Sequence, residues 1–166
     1  MRWTIRRAVD ADARRIGEIT VAGWRHSYRG IVADERLDAL DAVEIAEVRR
    51  TAIAAPEPMA VFVADDEQGR VRGYCTVGPS RDPDLAGDTA EVSGVLYTLY
   101  LDPEVIGTGA GVVHLAAAGF ARVTLWVYTA NTGAQAFYAH RGWRPDGEPY
   151  QGPGWSAPAT RWALSL

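Results

Sequence analysis

Cysteine is nearly absent: Cys75 stands alone in 166 residues, so no intrachain disulfide can form and a cysteine-based metal site lacks its ligands. No pair among the three histidines has ligand spacing, and no metal is expected. Long apolar runs are missing too. No window approaches the roughly 18 residues of a membrane span, and "MRWTIRRAVDADARR" carries charges where a secretory leader needs an apolar stretch. A soluble protein of a reducing cytoplasm is the expectation. Basic residues are scattered and outnumbered, 17 against 21 acidic, for a net charge of -4 and a pI near 5.4. Nucleic acid and anionic membrane are thereby excluded as main partners, because both demand clustered positive charge. There is no internal repeat, low-complexity tract or linker. What the chain does have is 48% hydrophobic residues, enough at this length for one core, so residues 1–166 are expected to form a single domain.

Apolar spacing and punctuation predict an alternating pattern. "RWTIRRA" (2–8) reads as a strand, followed by a helix N-capped by Asp10 with Ile16, Ile19 and Gly23 on one face. Residues 33–55 read as a second helix burying Leu37, Leu40, Ile45 and Val48, stopped by Pro56 and Pro58. "MAVFVADD" and "RVRGYCTVG" form a hairpin, and 78–91 is a polar loop. "VLYTLYL" (95–101) and "RVTLWVY" (122–128) are strands expected to run parallel across a helical crossover. A helix at 131–141 and a last strand "ATRWALSL" complete a mixed α/β (α+β) architecture, a sheet covered by helices.

Chemistry enters at "IGTGAG" (106–111), where alternate glycines between a strand and a helix let backbone N–H groups converge on an anion. The Gly-Lys-Ser/Thr ending of a P-loop is missing, and the spacing is not the dinucleotide fingerprint. A plain strand-to-helix turn is the competing reading. Together, "LYTLYLDPEVIGTGAG", "VTLWVYTANTGAQAFYAHRGW" and "YCTVGPSRDPD" resemble the GNAT superfamily of acetyl-CoA-dependent N-acetyltransferases, and "AGWRHSYRGIV" is similar to its first helix and following loop. The resemblance covers most of the chain. It implies a sheet of six to seven strands, splayed between 95–101 and 122–128, that takes acetyl-CoA as co-substrate. It places the pyrophosphate on Gly107, Thr108, Gly109, Ala110 and Gly111, with Ile106 at the head of that loop. Main-chain groups of Leu99 and Leu101 and the side chain of Asn131 would meet the pantetheine arm, and Tyr138 would protonate the departing thiolate.

Elementary chemistry supports that role for Tyr138. Amine attack on a thioester expels a thiolate whose conjugate acid has a pKa of about 8.5 if it resembles cysteine, and a phenol near 10 is protonated at neutral pH. Phe137 reads as core. An alkylammonium near 10.4 must also lose a proton before it attacks. Relatives often carry Glu early in the fourth strand, but the matching residue is Val95. Glu91 is therefore the candidate base, with His26, Tyr97 and Tyr100 as alternatives, and alternation puts the two tyrosines on opposite faces. His114 and His140 read as structural. Trp24, Tyr28, Arg29 and Tyr97 are candidate contacts for a small-molecule or peptide amine, with the 78–91 loop and the Gly-rich 147–158 segment as lids, and Asp82, Asp84, Asp88 and Glu91 would attract a cation. Cys75 has no evident His partner, which argues for direct attack rather than an acyl-enzyme.

Two departures from the family pattern carry weight. Ile106 stands where relatives have Gln or Arg. From Gly111 to Gly119 there is room for about two helical turns, roughly two fewer than in relatives, so either the helix is truncated or a stretch of it is absent from the chain as written. A degenerate acyl-CoA-binding sensor is thus the rival reading. Edge strands of such a sheet invite pairing, and a homodimer is compatible with it.

Overall fold

The computed structural model describes residues 2–56, 58–80, 82, 93–108, 121–152 and 155–165. The apolar stretches of the sequence appear as strands β1 (Thr4–Arg7), β2 (Ala60–Asp65), β3 (Val71–Pro79), β4 (Ser93–Leu101), β5 (Arg122–Tyr128), β6 (Arg144–Pro145) and β7 (Ala159–Ser165). They form one sheet in the order β1-β2-β3-β4-β5-β7-β6. Every neighbouring pair is antiparallel except β4 and β5, which run parallel as the crossover spacing predicts. Helices α1 (Ala13–Ser27), α2 (Asp34–Asp38), α3 (Ala42–Ile53) and α4 (Thr132–His140) flank it.

Alternation along the strands divides the core in two. On one face, Val61, Val63, Val71 and Tyr74 pack against Ile16 and Ile19 of α1. On the other, Phe62, Cys75, Val77, Leu96, Val123, Leu125, Val127, Trp143 and Trp162 form a larger cluster, against which Ala134 and Tyr138 of α4 rest. A side chain as fully buried as Ile16 contributes about 1.5–3 kcal/mol. Helices α1 and α3 approach closely enough that a Cβ on Gly17 would overlap the carbonyl oxygen of Ala42.

Local chemistry departs from the expected boundaries in three places. Asp10 does not cap α1: it opens a 3-10 turn, Asp10–Asp12, and Asp12 instead accepts from the backbone N–H of Val9 and from Arg6. The helix expected over 33–55 is two, because the Asp41 carboxylate accepts from the N–H groups of Val43 and Glu44 and starts a new one. That restart rotates the buried face: Leu37 and Ala46 are buried, while Val48 is 65% exposed. Finally, β4 carries a bulge. Thr76 pairs with Thr98 and Val77 with Leu96, leaving Tyr97 as the extra residue. Gly78, on the α1 side of β3 by alternation from Tyr74, would meet the Tyr97 ring if it carried a Cβ, and Gly23 of α1 lies under Tyr100. Tyr97 and Tyr100 thus share a face rather than opposing each other.

Candidate functional site

The sheet opens along the seam between β4 and β5. Their pairing is confined to Ser93–Arg122, Gly94–Val123 and Val95–Thr124, and beyond Val95 the remainder of β4 has no strand partner on that side among the described residues. The free edge is well defined. Asp102 donates its N–H to the Arg72 carbonyl at 2.7 Å, so alternation along β4 turns the N–H and C=O of Leu99 and Leu101 away from β3 and into the gap. Unpaired backbone groups of this kind seek a partner, and an extended amide-bearing ligand supplies one.

A cavity of about 410 Å³ fills the gap. Its walls are Leu99, Tyr100 and Leu101 of β4, Gly23, His26 and Ser27 of α1, Ile106 and Gly107, and Asn131, Gly133, Ala134, Phe137 and Tyr138 at and along α4. Asn131 caps α4 by accepting from the Ala134 N–H at 3.1 Å, which fixes it at the rim. Seven residues on, about two turns, Tyr138 packs edge-on to Phe137 and Trp143, at centroid separations of 5.1 and 5.5 Å. Burial, and then the proximity of Tyr28 and Cys75, push its phenol well above the ordinary value. Burial raises Tyr100 as well, which makes it a poor base. Phe137, expected in the core, instead lines the cavity, with the Arg141 guanidinium 3.8 Å from its ring centroid.

The loop after β4 is braced from behind. Asp102 accepts from Arg15 of α1 and lies 3.0 Å from the Arg72 guanidinium. The 3-10 turn Pro103–Val105 follows, and Gly107 adopts φ 85° with nothing within 4 Å of where a Cβ would point. Its left-handed backbone is why a glycine is required there. Thr108 turns its hydroxyl back to the Val105 carbonyl at 2.7 Å. Ile106 is 48% exposed at the mouth. The expected contacts at Gly109, Ala110, Gly111 and Glu91, the short helix, and His114 all lie outside the described residues.

Leu99, Leu101, Ile106, Gly107, Asn131 and Tyr138 are therefore brought to one cavity, while Thr108, Trp24 and Tyr97 are not among its walls. Trp24 packs on Tyr28 at 5.0 Å, and Tyr97 donates to the Pro79 carbonyl at 2.7 Å. Tyr28 sits behind the wall, its hydroxyl 3.3 Å from that of Tyr100. The position expected to hold a β4 carboxylate is Val95, buried and paired with Thr124. Sequence reasoning passed over Trp126, Tyr128 and Arg161, although the alternation of "LWVY" was a signal that Trp126 and Tyr128 share a face, and it named the 147–158 segment without singling out Trp155. Among the described residues there is no group of three or more His, Cys, Asp or Glu placed to hold a metal ion, and no helix is long and apolar enough to cross a membrane. Burial pushes the Cys75 thiol up to about 12, away from any nucleophilic role at neutral pH.

Residues 23–143, spanning the α1 wall, the opened seam and α4, match the acetyltransferase (GNAT) family. The chain belongs to that family. Over 135 residues it is 31% identical to YuaI, an uncharacterized N-acetyltransferase of Bacillus subtilis (strain 168), covering 77% of this chain and 73% of that protein. Two solved structures share the GNAT fold. The PaiA N-acetyltransferase of Thermoplasma acidophilum, solved in complex with coenzyme A, has a TM-score of 0.78 at 19% identity over 100% of both chains. A GNAT superfamily phosphinothricin acetyltransferase of Sinorhizobium meliloti, solved in complex with acetyl-CoA, has a TM-score of 0.70 at 24% identity over 100% of this chain and 89% of that one.

Proposed function

We propose that this GNAT protein moves the acetyl group of acetyl-CoA to a primary amine by direct attack, with residues 1–166 acting as one unit in the cytoplasm, alone or as a homodimer. The observation that carries the reading is the seam between β4 and β5, zipped at Val95–Thr124 and open beyond it, with Tyr138 in the wall of the resulting cavity. The residues present fit the co-substrate. Leu99 and Leu101 offer a free N–H and C=O edge to an amide-bearing arm, and the cavity volume falls in the range of small-ligand sites. The left-handed Gly107 opens a loop able to aim backbone amides at a pyrophosphate, and Gly109 to Gly111 are proposed to continue it. Bound there, acetyl-CoA supplies an activated carbonyl and a thiolate leaving group.

The chain's own residues supply orientation and protons. Asn131 and the β4 edge fix the arm, which places the reacting carbon by proximity. Tyr138, neutral throughout the physiological range, donates its O–H toward the developing thiolate. Two groups are proposed to take the ammonium proton: Glu91, two residues before the start of β4, and His26, an imidazole in the cavity wall. Tyr28, Trp24 and Tyr97 are proposed on the acceptor side.

A second reading, an acyl-CoA-binding module without turnover, draws on Ile106 exposed where the family pattern usually has Gln or Arg and Val95 buried where it often has Glu. Isothermal titration with acetyl-CoA combined with thiol release across an amine panel separates the two. Turnover on an amine supports the enzyme, binding with no turnover on any amine supports the module, and no binding overturns both.

A further inference from the structure

Six aromatic residues converge on the α1 side of the opened sheet without belonging to either buried cluster. Five of them form a continuous ladder. Tyr28 meets Tyr128 edge-on at 5.3 Å, Tyr128 meets Trp155 at 5.9 Å, Trp155 meets Trp126 at 5.9 Å, and Trp126 meets Tyr150 at 6.3 Å. Trp24 backs Tyr28. They come from three parts of the chain: the end of α1, β5 and the segment before β7. Tyr150, at the far end, is 56% exposed, so the ladder runs from behind the cavity wall to solvent. Its inner end is Tyr28, hydrogen-bonded to the cavity-lining Tyr100 and close enough to Tyr138 to disfavour ionisation of its phenol. An amine that attacks beside Tyr138 and projects past Tyr100 toward the α1 face would lay its remaining body along this wall.

Among the described residues the charges around the wall are already matched. Asp82 accepts from the Trp126 indole at 3.3 Å and pairs with Arg161 at 3.3 Å, and Arg161 also reaches Asp146 at 2.9 Å. Arg29 is held by Asp34 and Asp38. None of the described cavity-lining residues is Arg, Lys, Asp or Glu. A polycation requires several uncommitted carboxylates, and an α-amino acid requires a cation beside the reacting nitrogen; the described wall offers neither. Partly exposed aromatic faces, by contrast, suit flat apolar bodies.

We infer that the acceptor is an arylalkylamine, a primary amine on a flat aromatic body without an adjacent carboxylate, seated along Tyr28, Tyr128, Trp155, Trp126 and Tyr150; this rests on the acetyl-transfer reading above. The test measures thiol release at saturating acetyl-CoA with tryptamine, 2-phenylethylamine, tryptophan, phenylalanine, spermidine, propylamine and a short peptide. The two arylalkylamines are expected to exceed their amino acids and spermidine in kcat/KM by about tenfold or more, the scale of an unmatched charge against a stacked ring. Trp155→Ala, checked for folding by circular dichroism, is expected to lower the tryptamine-to-propylamine ratio of kcat/KM by about five- to tenfold, leaving acetyl-CoA affinity in titration unchanged. Preference for spermidine, an amino acid or the peptide overturns the inference and leaves acetyl transfer standing, as does a Trp155→Ala loss equal for tryptamine and propylamine. Absence of turnover on the whole panel overturns it as well, and absence of acetyl-CoA binding overturns both.

Discussion

Replacing Tyr138 with Phe removes one oxygen and leaves the ring in place against Phe137 and Trp143. Because Tyr138 lines the cavity and keeps its ring contacts as Phe, the fold should lose little, and the change isolates the proton donor. Burial holds this phenol above its ordinary value, whereas a cysteine-like thiol lies near 8.5. Complete proton transfer to the thiolate is therefore uphill, and the group acts mainly by hydrogen-bonding the charge as it develops. A hydrogen bond to a charged acceptor contributes about 1.5–3 kcal/mol. At 1.36 kcal/mol per decade, that corresponds to a fall in kcat of roughly 10- to 150-fold. The acetyl-CoA dissociation constant by titration should change by less than about twofold, because the O–H works in the transition state rather than in ground-state binding. The same shift predicts the pH profile. A folded value raised above the ordinary one keeps Tyr138 protonated throughout the usual assay range, so the wild-type rate should show no basic limb that Tyr138→Phe abolishes. An unchanged kcat refutes the role, and so does a loss of affinity that accounts for the whole fall in kcat/KM.

Three further outcomes follow from the packing. Cys75 should resist a thiol reagent at pH 8 in the folded protein and react fully once denatured, since burial holds its thiol up to about 12; rapid native labelling contradicts the buried placement. Gly17→Ala should destabilise by about 1–2 kcal/mol by chemical denaturation, as overlap with the Ala42 carbonyl outweighs the gain in helix propensity. Asp12→Ala should cost about 1–2 kcal/mol at pH 7, the smaller end of a charge-assisted bond because Arg6 is partly exposed. The Arg6 guanidinium holds the Asp12 carboxyl below its usual range, so this stabilisation is present above about pH 4 and fades as the pH falls through the folded value. The melting-temperature gap between wild type and Asp12→Ala should therefore close in acid, and a gap that persists there implicates lost packing instead.

Much of this was readable in the sequence because it rests on short-range periodicity. The span 122–128 is apolar enough to be bounded to the residue, and the parallel relation of β4 and β5 follows from the length of chain between them. The proposal for Tyr138 drew on the resemblance carried by "VTLWVYTANTGAQAFYAHRGW", a contiguous stretch that needs no distant partner to be recognised. What was not readable depends on partners far along the chain. The break at Asp41 turns on which of several acidic residues finds free N–H groups, and it moved Val48 to the surface. The bulge at Tyr97 is set by pairing with β3, so strict alternation placed Tyr97 and Tyr100 on opposite faces when they share one. The aromatic ladder joins residues from 28 to 155, and beyond the alternation that puts Trp126 and Tyr128 on one face it has no local signature. Phe137 shows the same limit: an aromatic on an apolar helix face reads as core until the missing strand contact beside it becomes visible as a gap.

The account depends most on the unpaired edge of β4. Amide hydrogen exchange measured with and without saturating acetyl-CoA tests it directly, by following the N–H groups of Leu99 and Leu101 that face the gap. Strong slowing at these two amides, with Arg6 and Arg7 on distant β1 unchanged, is the predicted result. Saturated binding that leaves both amides exchanging at their unliganded rates contradicts it.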